Sequence, residues 1–243
     1  HRPRLLIKAR RGANLLMKDN QKKDCLFLAP AIISVTVFSI WPILRAFTMS
    51  FQGGPLIDLQ FNGLSNYQYI FSDPEFWRAI MNTAIYSFLA VPIALIISVA
   101  LAWFIFSKIK HTAFFETMFF MPYVTSTIAI GIVFRYIFNG EYGLLNLLLI
   151  LVHLPQPDWL DNPSLSLVSL IIFGVWSSLA FNIVILMGAL RNIEPNYYVL
   201  ADMYGATSRE KFWRITVPQL VPTLAFLLTV NLIGAFKIYT QVY

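Results

Sequence analysis

Apolar residues in this chain do not alternate with polar ones. They run together in five blocks with approximate limits Leu26–Phe47, Met81–Phe106, Phe114–Phe138, Leu165–Leu190 and Val217–Tyr239. About 20 apolar residues are needed for a helix to cross the hydrocarbon core of a bilayer, so each block predicts a spanning helix. A membrane barrel, the other spanning solution, reads as short alternating segments, which these are not. The pattern predicts an all-α polytopic membrane protein with five spans.

The polar connections refine that picture. The longest, residues 52–80, is too short for a soluble catalytic domain. It contains Asp73-Pro74-Glu75, an acidic cap followed by proline and a second acid, which predicts a helix start. Its aromatics Tyr67, Tyr69, Phe71, Phe76 and Trp77 suit a lipid–water interface. Residues 139–164 hold "GLLNLLLILVH", too short to cross and read as a helix on the outer surface.

Composition agrees with a membrane protein. Of 243 residues, 58% are hydrophobic and only 12% are charged, where a soluble domain carries about a quarter. Charge then sets orientation. Before the first block stand Arg2, Arg4, Lys8, Arg10, Arg11, Lys18, Lys22 and Lys23. Lys108 and Lys110 follow the second block, and Arg191, Arg209, Lys211 and Arg214 follow the fourth. The opposite connections hold Asp58, Asp73, Glu75, Arg78, Glu141, Asp158 and Asp161, net acidic. Basic loops stay inside, so the amino terminus is expected to be cytoplasmic. The net charge of +6 is therefore a topological bias that also favours anionic membrane lipid, with no call for nucleic acid. The first block lacks a small-residue cleavage site and is longer than a signal-peptide core.

Candidate chemistry is sparse. The lone Cys25 excludes an internal disulfide, and His1, His111 and His153 are scattered, so no metal site and no cofactor are expected. No phosphate-cradling G-x-x-x-x-G-K-[ST] occurs, so ATP is not bound by this chain. A membrane enzyme would need paired acids or a nucleophile with its base at membrane depth, and none is present. An ion-coupled secondary transporter would need carboxylates within the spans. Only Glu116 comes close, at the start of the third block.

The connection between the fourth and fifth blocks is the most informative. Glu194 and Pro195 open a short helix that stops at Gly205, and Ser208 is expected to cap a second short helix, "REKFWRI", that leads to Pro218. Exposed aromatics beside charges fit either a solvated interfacial hairpin or a docking knob for a cytosolic partner. Residues alone leave both readings open.

"LADMYGATSREKFWRITVP" resembles the signature loop of binding-protein-dependent ABC importer permeases, in Ala201, Gly205, Ala206, Phe212, Trp213, Ile215, Val217 and Pro218. "NYQYIFSDPEFWRAIMNT", "MPYVTSTIAIGIVFRYIF", "GEYGLLN" and "WSSLAFNIVILMGALRNIEPNYY" are similar to further segments of the same family, in its carbohydrate-uptake branch. The resemblance covers the chain from about Leu26 onward. It implies a type I ABC importer transmembrane domain in a bacterial inner membrane. Its expected partners are a second homologous permease subunit, a cytosolic ABC ATPase dimer and an extracytoplasmic solute-binding protein, with a sugar as substrate. A sugar-phosphate permease shares that architecture.

Under the resemblance the chain divides into a basic segment 1–24, a first span with its loop 25–75, and a core permease domain 76–243 with a coupling loop 191–216. "FKIYTQVY" is similar to the sequence that precedes a last helix, so a sixth span is expected and is missing here, by truncation or disorder. The His1 start points the same way. The expected ATPase-coupling residues are Val199, Leu200, Ala201, Asp202, Tyr204, Gly205, Ala206, Arg209 and Pro218. Two of them depart from the pattern. Val199 stands where the signature has glutamate and Tyr204 where it has aspartate, so Asp202, Arg209 or Glu210 is left to supply polar contacts, or the partner surface is more apolar.

Within the fourth block, Gly174, Ser177, Ser178 and Phe181 recur at helical spacing and form one stripe, with Asn182 beside it. The fifth block carries Asn231, Gly234 and Ala235 on one face. Polar groups at membrane depth are functional candidates, while small and amide side chains also pack spans together. In maltose-type relatives the matching stripes line the sugar site. That implies Gly174, Ser177, Ser178, Phe181 and Asn231 as substrate-binding residues here.

Overall fold

The structure, a computed structural model, describes residues 27–55, 58–109 and 112–237. The basic segment 1–24, Cys25, Lys110, His111 and the end from Ile238 to Tyr243 lie outside the described residues. The chain divides into two compact units, His1–Trp77 and Arg78–Tyr243.

In the first unit, α1 (Phe27–Met49) is long and apolar enough to cross a membrane. It contains a π-helical turn, Thr36–Ile40, in which the Trp41 N–H reaches back to the Thr36 carbonyl. Pro42 is the cause: it lacks an N–H and its ring crowds the carbonyl four residues back, so the preceding turn widens and the helix continues. A short hairpin follows, β1 (Gln52–Gly53) pairing antiparallel with β2 (Gln60–Phe61). Asn66 fastens it by donating to the carbonyls of Ser50 (2.9 Å) and Gln52 (2.8 Å). Helix α2 (Ser65–Ser72) carries Asn66 and also Tyr67, whose hydroxyl lies 2.7 Å from Ser50 Oγ.

Helix α3 (Pro74–Lys108) begins where Asp73 Oδ1 accepts from the Glu75 N–H at 2.9 Å. The sequence pattern puts the span at Met81. The helix starts seven residues earlier because the Asp-Pro-Glu signal is its own N-terminus rather than that of a separate loop helix. The third expected span is not one straight helix. It is α4 (Thr112–Val124) and α5 (Thr127–Ile137), bent by 97° at the break. Pro122 weakens the last turn of α4, the Thr125 hydroxyl donates to the Met121 carbonyl at 3.0 Å, and Ser126 turns extended. By length and composition four described helices can cross a membrane, or five with the bent pair as one span.

Helix α6 (Leu144–Leu151) forms within "GLLNLLLILVH" as expected. Its Asn146, 1% exposed, donates to the carbonyls of Gly140 (2.7 Å) and Pro157 (3.1 Å) and accepts from Trp159 Nε1 (2.8 Å). One amide thereby ties both arms of the 139–164 connection to α6. Helix α7 (Pro163–Arg191) starts on an Asn162 cap.

Helix α8 (Pro195–Met203) ends as expected, with Gly205 at a φ of +70°. The next element corrects the sequence reading twice. Its cap is Thr207, not Ser208, in a reciprocal box with Glu210. It is also not a helix separate from the fifth span, because α9 (Ser208–Ala235) runs through Pro218 as a single helix. A second π-helical turn, Phe212–Thr216, absorbs that proline as the first absorbs Pro42, with the Val217 N–H reaching Phe212.

Packing in the second unit rests on small residues. Ala90, Ala94, Ser98 and Ala102 recur every four positions along α3, each 4% exposed or less. Such a stripe lets helix backbones approach closely where lipid supplies no hydrophobic drive for association. Ile183, Leu186, Met187 and Leu190 of α7 join Leu220 and Leu227 of α9 in the main buried cluster. By contrast, Phe38 and Phe88 remain 79% and 74% exposed, an outward apolar surface suited to lipid.

Candidate functional site

A cavity of about 370 Å³ opens among α3, the α4–α5 break, α7 and α9. All five substrate-binding candidates line it: Gly174, Ser177, Ser178 and Phe181 from α7 and Asn231 from α9. The 3.6-residue period of α7 puts its four on one face, and Asn231, Gly234 and Ala235 approach from α9.

Sequence reasoning missed several wall residues. Tyr86 enters from α3, while Pro122, Tyr123 and Thr125 come from the break between α4 and α5. Pro122 and the Thr125–Ser126 pair were the available signal, since a proline followed by hydroxyl residues inside an apolar run marks irregular backbone. Such backbone is tolerated at membrane depth where it lines a cavity. The Tyr123 ring stacks on Phe181, with centroids 5.6 Å apart and planes at 23°.

The polar groups of the wall are partly committed. Ser178 Oγ donates to the Val175 carbonyl at 2.9 Å. Asn231 Nδ2 donates to the Leu227 carbonyl at 2.7 Å and to Asn182 Oδ1 at 2.8 Å. Asn182 itself is fully buried behind the wall. No wall residue carries a formal charge at neutral pH. The arrangement offers hydroxyl and amide hydrogen-bonding groups beside a flat aromatic face. Among the described residues no acidic, histidine or cysteine cluster could hold a metal.

The 191–216 segment presents a different surface. Tyr204 is 90% exposed, and Val199, Leu200 and Met203 are exposed beside it, while Ala201 and Ala206 are half-buried. Asp202 is engaged by Lys211 Nζ at 2.6 Å. Glu210 is engaged as well, accepting from the Thr207 N–H and hydroxyl, both at 2.9 Å. Arg209 is exposed on the first turn of α9. Pro218 lies ten residues beyond Ser208, about 15 Å along the helix, and is not gathered with the other coupling candidates. Glu116 pairs with Arg191 at the end of α7, so it is no isolated carboxylate within a span.

Comparison with known proteins identifies the family. Residues 71–243 match the family model described as the binding-protein-dependent transport system inner membrane component. The arabinooligosaccharides transport system permease protein AraP of Bacillus subtilis (strain 168) is 34% identical over 220 residues, covering 90% of this chain and 70% of that protein. The lactose transport system permease protein LacF of Rhizobium radiobacter is 33% identical, with 90% and 74% covered. A crystal structure of a bacterial ABC transporter involved in import of the acidic polysaccharide alginate superposes with a TM-score of 0.78 at 25% identity, covering 92% of this chain and 77% of that one. The chain belongs to the family of inner membrane components of binding-protein-dependent transport systems, as the permease component of an ABC importer.

Proposed function

We propose that this permease carries a neutral sugar or short oligosaccharide, and that the cavity between α3, α7 and α9 is its part of the sugar path. The observation that carries this reading is the wall itself. Ser177, Ser178, Thr125 and Asn231 provide hydrogen-bonding groups, and the stacked Tyr123–Phe181 pair provides a flat face for a sugar ring. The named substrates of the relatives, arabinooligosaccharides and lactose, support the same class. A sugar phosphate would ask for a cationic wall residue, and the wall is uncharged.

The chain forms half of the path beside a second, related permease, and a solute-binding protein delivers the sugar on the outer face. Its amino terminus is cytoplasmic. A cytosolic ATPase dimer grips the 191–216 segment, using exposed Val199, Leu200 and Tyr204 in place of the usual acidic contacts. Asp202 and Glu210 are held within the segment, which leaves Arg209 to supply charge. ATP hydrolysis is the partner's chemistry. Closure of the ATPases draws the segments together and switches the bundle between inward-open and outward-open states.

The test is ATP-driven uptake by the complete transporter in proteoliposomes. Ser178→Leu combined with Asn231→Leu is expected to abolish most sugar uptake while the complex still assembles. Uptake at the parent rate would remove the cavity from the path.

A further inference from the structure

Asn182 sits on α7 directly after Phe181, wholly buried and outside the cavity wall. Its Oδ1 accepts a hydrogen bond from Asn231 Nδ2, and that same nitrogen donates to the Leu227 carbonyl. A backbone carbonyl can only accept. The end of the Asn231 amide at Leu227 must therefore be the NH2, which fixes the orientation that is otherwise ambiguous for such groups. Both Nδ2 hydrogens are then used, and the bonding capacity Asn231 retains for a ligand is its Oδ1.

Two neighbours are biased the same way. The Ser178 hydroxyl gives its hydrogen to Val175, and the Thr125 hydroxyl gives its own to Met121. All three wall groups keep acceptor lone pairs and have no hydrogen to spare. Asn182 achieves this at a cost, because its own Nδ2 is buried with no hydrogen-bond partner among the described residues. A leucine there would remove that unpaired group but would leave one Asn231 Nδ2 hydrogen without its acceptor. A buried amide that is half satisfied and bonded to a wall residue points to a task at the cavity.

We infer that Asn182 is a positioning residue that holds Asn231 with its acceptor oxygen free, so that this patch of the wall, Asn231 with Ser178 and Thr125, takes hydroxyl hydrogen bonds donated by the ligand. The inference rests on the reading of the cavity as a sugar site. It adds a residue behind the wall and a polarity to the recognition.

The experiment is equilibrium binding of radiolabelled arabinotriose and lactose to the assembled transporter in nanodiscs, without its solute-binding protein, with thermal unfolding measured alongside. Asn182→Leu is expected to weaken binding roughly 3- to 10-fold, the worth of one well-placed hydrogen bond, with a modest fall in the unfolding midpoint from the larger side chain and the unpaired Asn231 hydrogen. Asn182→Asp, whose carboxyl oxygen still accepts from Asn231, is expected to recover most of the affinity. Asn231→Leu should lose at least as much as Asn182→Leu. If Asn231→Leu weakens binding and Asn182→Leu does not, the positioning role is refuted while the sugar site stands. A loss in Asn182→Leu that comes with lower thermal stability and no recovery by aspartate marks a merely structural residue and equally refutes it. If neither sugar binds the parent protein, or no variant changes binding, the sugar reading itself fails and this inference falls with it.

Discussion

Tyr86 and Gly174 share one volume: the Tyr86 hydroxyl stands 2.0 Å from where a β-carbon on residue 174 would sit, and its ring carbon Cζ 2.9 Å away. Gly174 is thus required by a side chain from another helix, with no demand from backbone conformation. Tyr86 is itself only 6% exposed, so its room to retreat lies on the cavity side. Gly174→Ala is expected to destabilise the protein by about 1–3 kcal/mol, as overpacking does, and to weaken sugar binding by pushing Tyr86 into the cavity. Tyr86→Phe removes the atom in closest conflict and should partly restore the stability of Gly174→Ala. A double-mutant cycle of unfolding midpoints in detergent checks this, and simple additivity would refute the shared volume.

Gly205 presents the opposite case. A β-carbon there meets nothing within 4 Å, but the backbone sits at a φ of +70°. Gly205→Asn, which tolerates that conformation, is expected to keep transport-coupled ATPase activity in the complete transporter. Gly205→Val is strained by about 1–2 kcal/mol and should lose most of the coupling while membrane insertion is retained. Equal activity in the two variants would exclude a conformational requirement at this turn.

Asn146 holds three partners at once, so Asn146→Leu leaves the Gly140 and Pro157 carbonyls and the Trp159 indole N–H without it. Each buried group left unsatisfied costs about 1–3 kcal/mol. Trp159→Phe keeps an aromatic ring beside Phe138 and leaves one buried group, Asn146 Oδ1, unsatisfied, so it should cost about 1–3 kcal/mol. Thermal unfolding should rank parent, Trp159→Phe and Asn146→Leu in that order.

Glu116 and Arg191 join the first turns of α4 to the last of α7. Arg191 is half exposed, so the pair contributes about 1 kcal/mol or less. Glu116→Arg should lower stability, and adding Arg191→Glu should restore most of it at low salt. The restoration should fade in 1 M salt, where exposed charges are screened.

Much of this was legible in the residue pattern because the bilayer imposes it. Runs of apolar residues have to be helices, and a 3.6-residue period suffices to place Gly174, Ser177, Ser178 and Phe181 on one wall. The errors arose at prolines. Pro218 reads as the junction between a short helix and the last span, yet a π-helical turn carries α9 through it, and Pro122 reads as part of a continuous span that is in fact broken. Which outcome a proline produces depends on whether the neighbouring turn can widen, and that is settled by packing. Tyr86 was missed for another reason. Nothing within α3 marks it, and its importance arises only from the bare backbone of Gly174 on a different helix.

The passage of α9 through Pro218 has a mechanical meaning. Ser208 and Asn231 stand on one uninterrupted rod, about 35 Å apart by helical rise, with buried Leu220 and Leu227 gripped between them. On the proposed reading, with a partner gripping the 191–216 segment, a tug at the Thr207 end would swing Asn231 and Gly234 at the other about the leucine cluster. A hinge at the proline would have absorbed that torque before it arrived.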